Sequence, residues 1–367
     1  MNDVTQSLLS RDESNAIKGV LISLIILGHN MFFTYATDEI QCMGYLYCFH
    51  IQAFFLLPFL YPLRPGSRER VLNHLIRYYV PFFLFLIVLS LLRSFAGHEI
   101  EWWKMPLSAL FGGGVLIREF AGNQLLWFLP AMFFTVLLKE WYQVGGQQLR
   151  RILLFCGVVC ITGKIIAPSL SGKAAELSEA ILYWGSNLLY ALQFLPLGLS
   201  LRYILQNRRM SLPMAGGLFL LGSAGYFADY FLLVKPYYSY HVTTSLWVAL
   251  QMFMPIPFLV LLYRFRAMFG NCKILKKFGE NSFMIYLFHP FIGYALFFFL
   301  SRRGMPLWFW IVPVQLIMMF LPLWMAGLLH RFPRLEGLLL PRDWRGFLNA
   351  IRDQKGIIFN TPEANRE

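Results

Sequence analysis

The chain has 367 residues, 57% of them hydrophobic and 14% charged, with a formal net charge of +13. Soluble domains run at roughly 45–50% apolar and about 25% charged, so this composition excludes an ordinary soluble enzyme and describes a polytopic membrane protein. The basic excess lies in short loops between apolar runs, where membrane topology accounts for it, and no nucleic-acid partner is expected.

The first apolar run follows a mostly polar N-terminal stretch and lacks a small-x-small cleavage site, so it is expected to be a retained helix rather than a removable signal. It runs from Lys18 through Val20-Leu21-Ile22 to Gly28-His29-Asn30. Eleven positions on a helix turn through about 1100° and rise about 16.5 Å. Lys18 and His29 therefore share one face, the lysine near a membrane surface and the histidine near or past mid-membrane. Ionisable groups at that depth are costly and point to function. The competing account is a snorkelling anchor for Lys18 and a packing role for His29.

Apolar runs of spanning length fall at roughly 17–35, 43–62, 78–95, 124–140, 151–167, 181–203, 212–234, 241–263, 280–300 and 307–330. The expected fold is thus an all-α polytopic membrane bundle of about ten transmembrane helices. Gly112-Gly113-Gly114 reads as a loop turn or re-entrant piece, since no G-K-[ST] follows. Loops on the N-terminal side hold most of the loop cations, including Arg68, Arg70, Arg150, Arg151, Arg208 and Arg209, so both termini are expected to be cytosolic. Residues 1–330 form the expected membrane domain and 331–367 a short basic cytosolic tail. Cys42, Cys48, Cys156, Cys160 and Cys272 make no C-x-x-C pair, and no metal site or disulfide framework is expected.

Polar groups recur inside the apolar runs. The second run carries Tyr47-Cys48-Phe49-His50-Ile51-Gln52, and His74-Leu75-Ile76-Arg77 precedes Pro81. The fourth opens Leu126-Trp127-Phe128-Leu129, and the ninth holds Tyr286-Leu287-Phe288-His289-Pro290. From about Asn15 to about His330 the chain resembles the acyltransferase-three family of integral membrane O-acyltransferases. The resemblance rests most on a basic residue, ten residues and a histidine, here Lys18 and His29. Phe49-His50 is similar to the start of the second helix in the branch acting on fucose and related surface sugars. Arg77, Trp127 and the Tyr286–Pro290 run match later family elements. The chain departs from the pattern at Phe54-Phe55-Leu56-Leu57-Pro58, where the family usually has Phe-Phe-x-x-Ser-Gly, and at His74, where many relatives have arginine.

The resemblance implies transfer of an acyl group, most often acetyl, from cytosolic acyl-coenzyme A to a hydroxyl of a surface or lipid-linked glycan, in the bacterial cytoplasmic (inner) membrane. A sugar hydroxyl is a poor nucleophile, and a neutral imidazole in hydrogen-bond reach acts on it as general base; His29 suits that role. Lys18, Arg77 and His74 are the candidates for binding acetyl-coenzyme A. Arginine grips a phosphate bidentately and lysine as a point charge. His50, Gln52, Tyr286, His289 and Trp127 are the candidates for the acceptor, with packing as the competing role for each. Asp229, in the seventh run, supports the alternative of a polytopic exporter of a glycan or small solute without acyl-transfer chemistry. A non-catalytic assembly component is the third reading.

Overall fold

The computed structural model describes residues 7–62, 67–95, 97, 99–103, 124–166, 176–234 and 245–352, and among them every regular element is helical. In chain order these are α1 (Arg11–Gly28), α2 (Met31–Ala36), α3 (Cys42–Leu46), α4 (His50–Leu56), α5 (Arg68–Phe95), α6 (Phe128–Val144), α7 (Gln147–Ile166), α8 (Glu176–Gln206) and α9 (Leu212–Asp229). There follow α10 (Ser245–Phe253), α11 (Pro255–Arg264), α12 (Arg266–Gly270), α13 (Lys273–Glu280), α14 (Ser282–Leu300), α15 (Leu307–Leu329), α16 (Pro333–Leu339) and α17 (Trp344–Arg352). Among the described residues six stretches are long and apolar enough to cross a membrane: Cys42–Leu60, Arg68–Phe95, Asn187–Gln206, Leu246–Arg264, Ser282–Arg303 and Leu307–Leu329. The glycine run at 112–114 lies outside the described residues.

The chain folds into two units. The first comprises Met1–Pro62, Ile161–Ser171 and Pro196–Ala326; the second comprises Leu63–Cys160, Gly172–Leu195 and Gly327–Glu367.

In the first unit, α1 starts at a capping box. Ser10 Oγ accepts from the Glu13 amide at 3.2 Å, and Glu13 Oε2 accepts from the Ser10 amide at 2.8 Å. The acids Asp12 and Glu13 sit where the helix dipole favours negative charge. The expected continuous helix through residue 35 does not form. α1 stops at Gly28, His29 takes φ −103° and ψ 0°, and Asn30 is extended. Asn30 Oδ1 then caps α2 by accepting from the amides of Phe32 (3.1 Å) and Phe33 (3.4 Å). A good N-cap thus outcompetes helix continuation through a weak helix former, glycine. The second run is broken too. α3 ends at Leu46, Phe49 leaves helical geometry at φ −146°, and α4 gives way to a 3₁₀ turn over Leu57–Leu60.

The N-terminal half of α1 is held by α13 at backbone contact. A β-carbon on Gly19 would collide with the Leu275 carbonyl, and one on Gly279 with the Asn15 carbonyl. Small residues at such crossings allow helices to meet closely in membrane proteins. Lys276 pairs with Asp12 at 2.8 Å and Arg266 with Glu13 at 3.2 Å, fixing register along the seam. Elsewhere in this unit, buried Leu46, Cys48, Phe49, Tyr226 and Met254 form a cluster that seats α3 and the start of α4 against α9 and α11.

In the second unit, α5 packs on α6, with Tyr79 edge-on to Phe133 at 5.3 Å between centroids. The expected tail forms α16 and α17, joined by Arg334 Nε donating to the Ala350 carbonyl at 3.1 Å. α17 docks on the start of α5: the Trp344 amide donates to Asn73 Oδ1 at 2.8 Å, and Arg345 pairs with Glu69 at 3.1 Å.

The α1–α13 seam makes Gly279→Ala costly, because backbone rather than a flexible side chain occupies the space. The expected loss is about 1–3 kcal/mol, read as a lower denaturation midpoint in detergent. Gly217, with open space around its would-be β-carbon, should tolerate alanine without loss. Equal stability of the two variants would contradict the packing described.

Candidate active site

The breaks after α1 and α3 bring His29, Tyr47 and His50 together, and α14 adds His289. His29 and His289 lie edge to face with centroids 5.3 Å apart. Tyr47 stands 6.0 Å from His29 and 5.0 Å, edge-on, from His50. His50 and His289 are fully buried and His29 is partly buried. The His29 ring is therefore turned toward aromatic neighbours of its own unit.

Each imidazole is oriented by the carbonyl four residues before it. His29 Nδ1 lies 2.9 Å from the Ile25 carbonyl, His289 Nδ1 lies 3.1 Å from the Ile285 carbonyl, and His50 Nδ1 bonds the Leu46 carbonyl. A carbonyl oxygen only accepts, so Nδ1 must carry the proton in all three rings. The neutral ring then has its lone pair on Nε2. At His29 that lone pair receives the Tyr47 hydroxyl, 3.2 Å away. His50 Nε2 and His289 Nε2 are buried without a hydrogen-bond partner among the described residues, as is Gln52 Oε1 on α4. Three buried acceptors of this kind, each costing about 1–3 kcal/mol when unmet, favour a ligand that supplies donors.

Tyr286, buried one turn before His289, has its ring centroid 6.1 Å from that imidazole. Pro290 leaves the Tyr286 carbonyl without its helical donor, and the His289 ring turns back toward this stretch of backbone, bonding the Ile285 carbonyl and interacting with that of Tyr286.

Lys18 lies three turns before His29 on the same helix. Its Nζ donates to Asn15 Oδ1 at 3.1 Å, and Asn15 Nδ2 donates to Glu280 Oε1 at 3.3 Å. The lysine is thus steered by an amide that a carboxylate holds in turn. Below α4, the departure from the family pattern at Leu57-Pro58 falls in the 3₁₀ turn. Buried Arg202 closes that turn, donating Nη1 to the carbonyls of Phe59 at 3.0 Å and Tyr61 at 2.8 Å.

Three residues singled out from sequence belong to the second unit. Arg77 is exposed on α5. His74 Nε2 pairs with Glu140 Oε1 at 3.1 Å. Trp127 packs edge-on to Tyr190 at 5.3 Å. Asp229 is buried at the end of α9. Among the described residues no group of three His, Cys, Asp or Glu side chains is placed to hold a metal ion.

Sequence reasoning passed over Tyr47, Asn15 and Glu140. The acid in Leu138-Lys139-Glu140 was a readable signal, since a carboxylate inside an apolar helix calls for a partner. Tyr47 gave none until the break between α3 and α4 aimed it at His29.

A family model described as an acyltransferase domain matches residues 11–327. No curated protein and no solved structure matches the chain. The match takes in α1 with Lys18 and His29, the break carrying Tyr47 and His50, and α14 with His289, so the chain belongs to the acyltransferase-three family of membrane acyltransferases.

Proposed function

We propose that the protein moves an acyl group, acetyl in the first instance, from cytosolic acyl-coenzyme A to a hydroxyl of a surface or lipid-linked glycan, with His29 as general base. The observation that carries this reading is the fixed His29 tautomer: with Nδ1–H bonded to Ile25, the basic lone pair is Nε2, which already receives a hydroxyl, that of Tyr47. An acceptor alcohol in the same place would give its proton to Nε2 as its oxygen attacks the thioester carbon. The imidazolium would then return that proton to the departing coenzyme A sulfur.

The unmet lone pairs of His50 Nε2, His289 Nε2 and Gln52 Oε1 support an acceptor with several hydroxyls. A sugar presents such donors around the one that reacts. On this reading Tyr286 lines the same space. Lys18 attracts the phosphates of coenzyme A.

The reading places the protein in the bacterial inner membrane, with about ten spans, both termini cytosolic and residues 331–367 as a cytosolic tail. Loop cations support that orientation. Buried Asp229 favours the second reading, an exporter without acyl transfer. Solute movement that persists in His29→Ala and needs no acyl donor would decide for it.

Acetate released by mild base from the surface glycan of cells making each variant at equal membrane levels reports the chemistry. His29→Ala should lower it by about 100-fold or more; unchanged acetylation would refute the assignment. Replacing Lys18 by Met should raise the KM for acetyl-coenzyme A about 5–10-fold, roughly 1 kcal/mol of a charge-assisted contact, while Lys18→Arg stays near wild type. His289→Phe removes a buried unmet acceptor. It should leave the denaturation midpoint undiminished while weakening use of the acceptor about 10-fold, within the range for one lost hydrogen bond. A destabilised but fully active variant would assign that histidine to packing alone.

A further inference from the structure

Acyl transfer by the route above turns the thioester carbonyl into an oxyanion, which needs a hydrogen-bond donor at that moment. The side-chain donors around His29 are largely committed to backbone. The Nδ1–H groups of His29, His50 and His289 bond Ile25, Leu46 and Ile285, and Asn30 Nδ2 donates to the Ile311 carbonyl at 2.9 Å. The Nε2 atoms of the rings offer lone pairs only.

Tyr47 differs. Its hydroxyl donates to His29 Nε2 at 3.2 Å, the same lone pair that an acceptor alcohol must reach. The two hydroxyls cannot share it. The incoming alcohol displaces the phenol, leaving an O–H donor beside the reacting centre with no partner of its own. Tyr47 caps α3, its amide donating to the Met43 carbonyl at 3.1 Å, and Phe49 two residues on has left helical geometry.

We propose that Tyr47 is a catalytic residue that caps the His29 lone pair at rest and donates its phenolic O–H to the oxyanion when the acceptor hydroxyl takes its place. The proposal rests on the reading of His29 as base. In the step, the acceptor oxygen bonds to the thioester carbon, its proton passes to His29 Nε2, and the carbonyl π pair moves onto oxygen, where the Tyr47 O–H holds it. Collapse restores the carbonyl and breaks the carbon–sulfur bond; the thiolate takes the proton from His29. Tyr47 ends protonated, as it began.

The test compares wild type, Tyr47→Phe and His29→Ala for glycan acetate in cells, and for coenzyme A thiol released from acetyl-coenzyme A by detergent-purified protein. Tyr47→Phe lacks only the oxygen and should fold normally, with an unchanged KM for acetyl-coenzyme A and kcat lower by about 100-fold. Placing 3-fluorotyrosine at position 47 makes the phenol more acidic. A more acidic phenol is a stronger donor, so kcat should hold or rise with 3-fluorotyrosine while it falls with phenylalanine, a split that a packing role would not produce. Full activity of Tyr47→Phe, or a rise in its rate from removal of the cap, would overturn the proposal. Inactive His29→Ala beside fully active Tyr47→Phe would remove only the role of Tyr47, whereas active His29→Ala would remove the base itself.

Discussion

The structure around His29 depends on one local bond made three times: each histidine ring turns back onto the carbonyl four residues earlier and donates to it from Nδ1. Two of those carbonyls already accept a backbone amide, Ile25 from His29 and Leu46 from Phe49, so what this second bond fixes is the ring. It commits Nδ1 as donor and so presents Nε2 as acceptor in each ring, before any ligand is considered. The chemistry proposed for His29 is therefore a consequence of how α1 ends.

The breaks in the helices belong to the same logic. Non-helical backbone at membrane depth is tolerated where protein surrounds it or where it lines a functional space. At His29 and Asn30 the gap is closed by Asn30, whose amide reaches Ile311 while its oxygen caps α2. Beyond α4, Arg202 closes the 3₁₀ turn over Leu57–Leu60. The side chains at the breaks hold their neighbours' backbone in place, leaving Tyr47 as the hydroxyl aimed at the His29 lone pair. The apolar cluster of Phe49, Tyr226 and Met254 then holds the broken second run against α9 and α11.

Much of this could be read from sequence, but unevenly. The all-helical membrane architecture followed from apolar runs alone, and the pairing of Lys18 with His29 on one helix from their spacing. The break after Gly28 was harder to see, although Gly28-His29-Asn30 carries a helix stop and a fresh cap, because hydrophobicity continues through Phe32 and Phe33 and period analysis is blind to a cap inside an apolar run. The pairing of His74 with Glu140 joins residues far apart in the chain, and only the packing of α5 on α6 brings them together. Asn15 could not be singled out because its value lies in α13, which crosses it at a glycine.

The central claim is that His29 keeps its proton on Nδ1 and its lone pair on Nε2, facing a hydroxyl. Solid-state NMR of membrane-reconstituted protein labelled with ring-¹⁵N histidine, with the His29 signals assigned through a His29→Gln variant, reads that directly. The account predicts a protonated Nδ1 and an unprotonated, hydrogen-bonded Nε2. A proton found on Nε2 with Nδ1 bare would mean that the ring cannot serve as the base described.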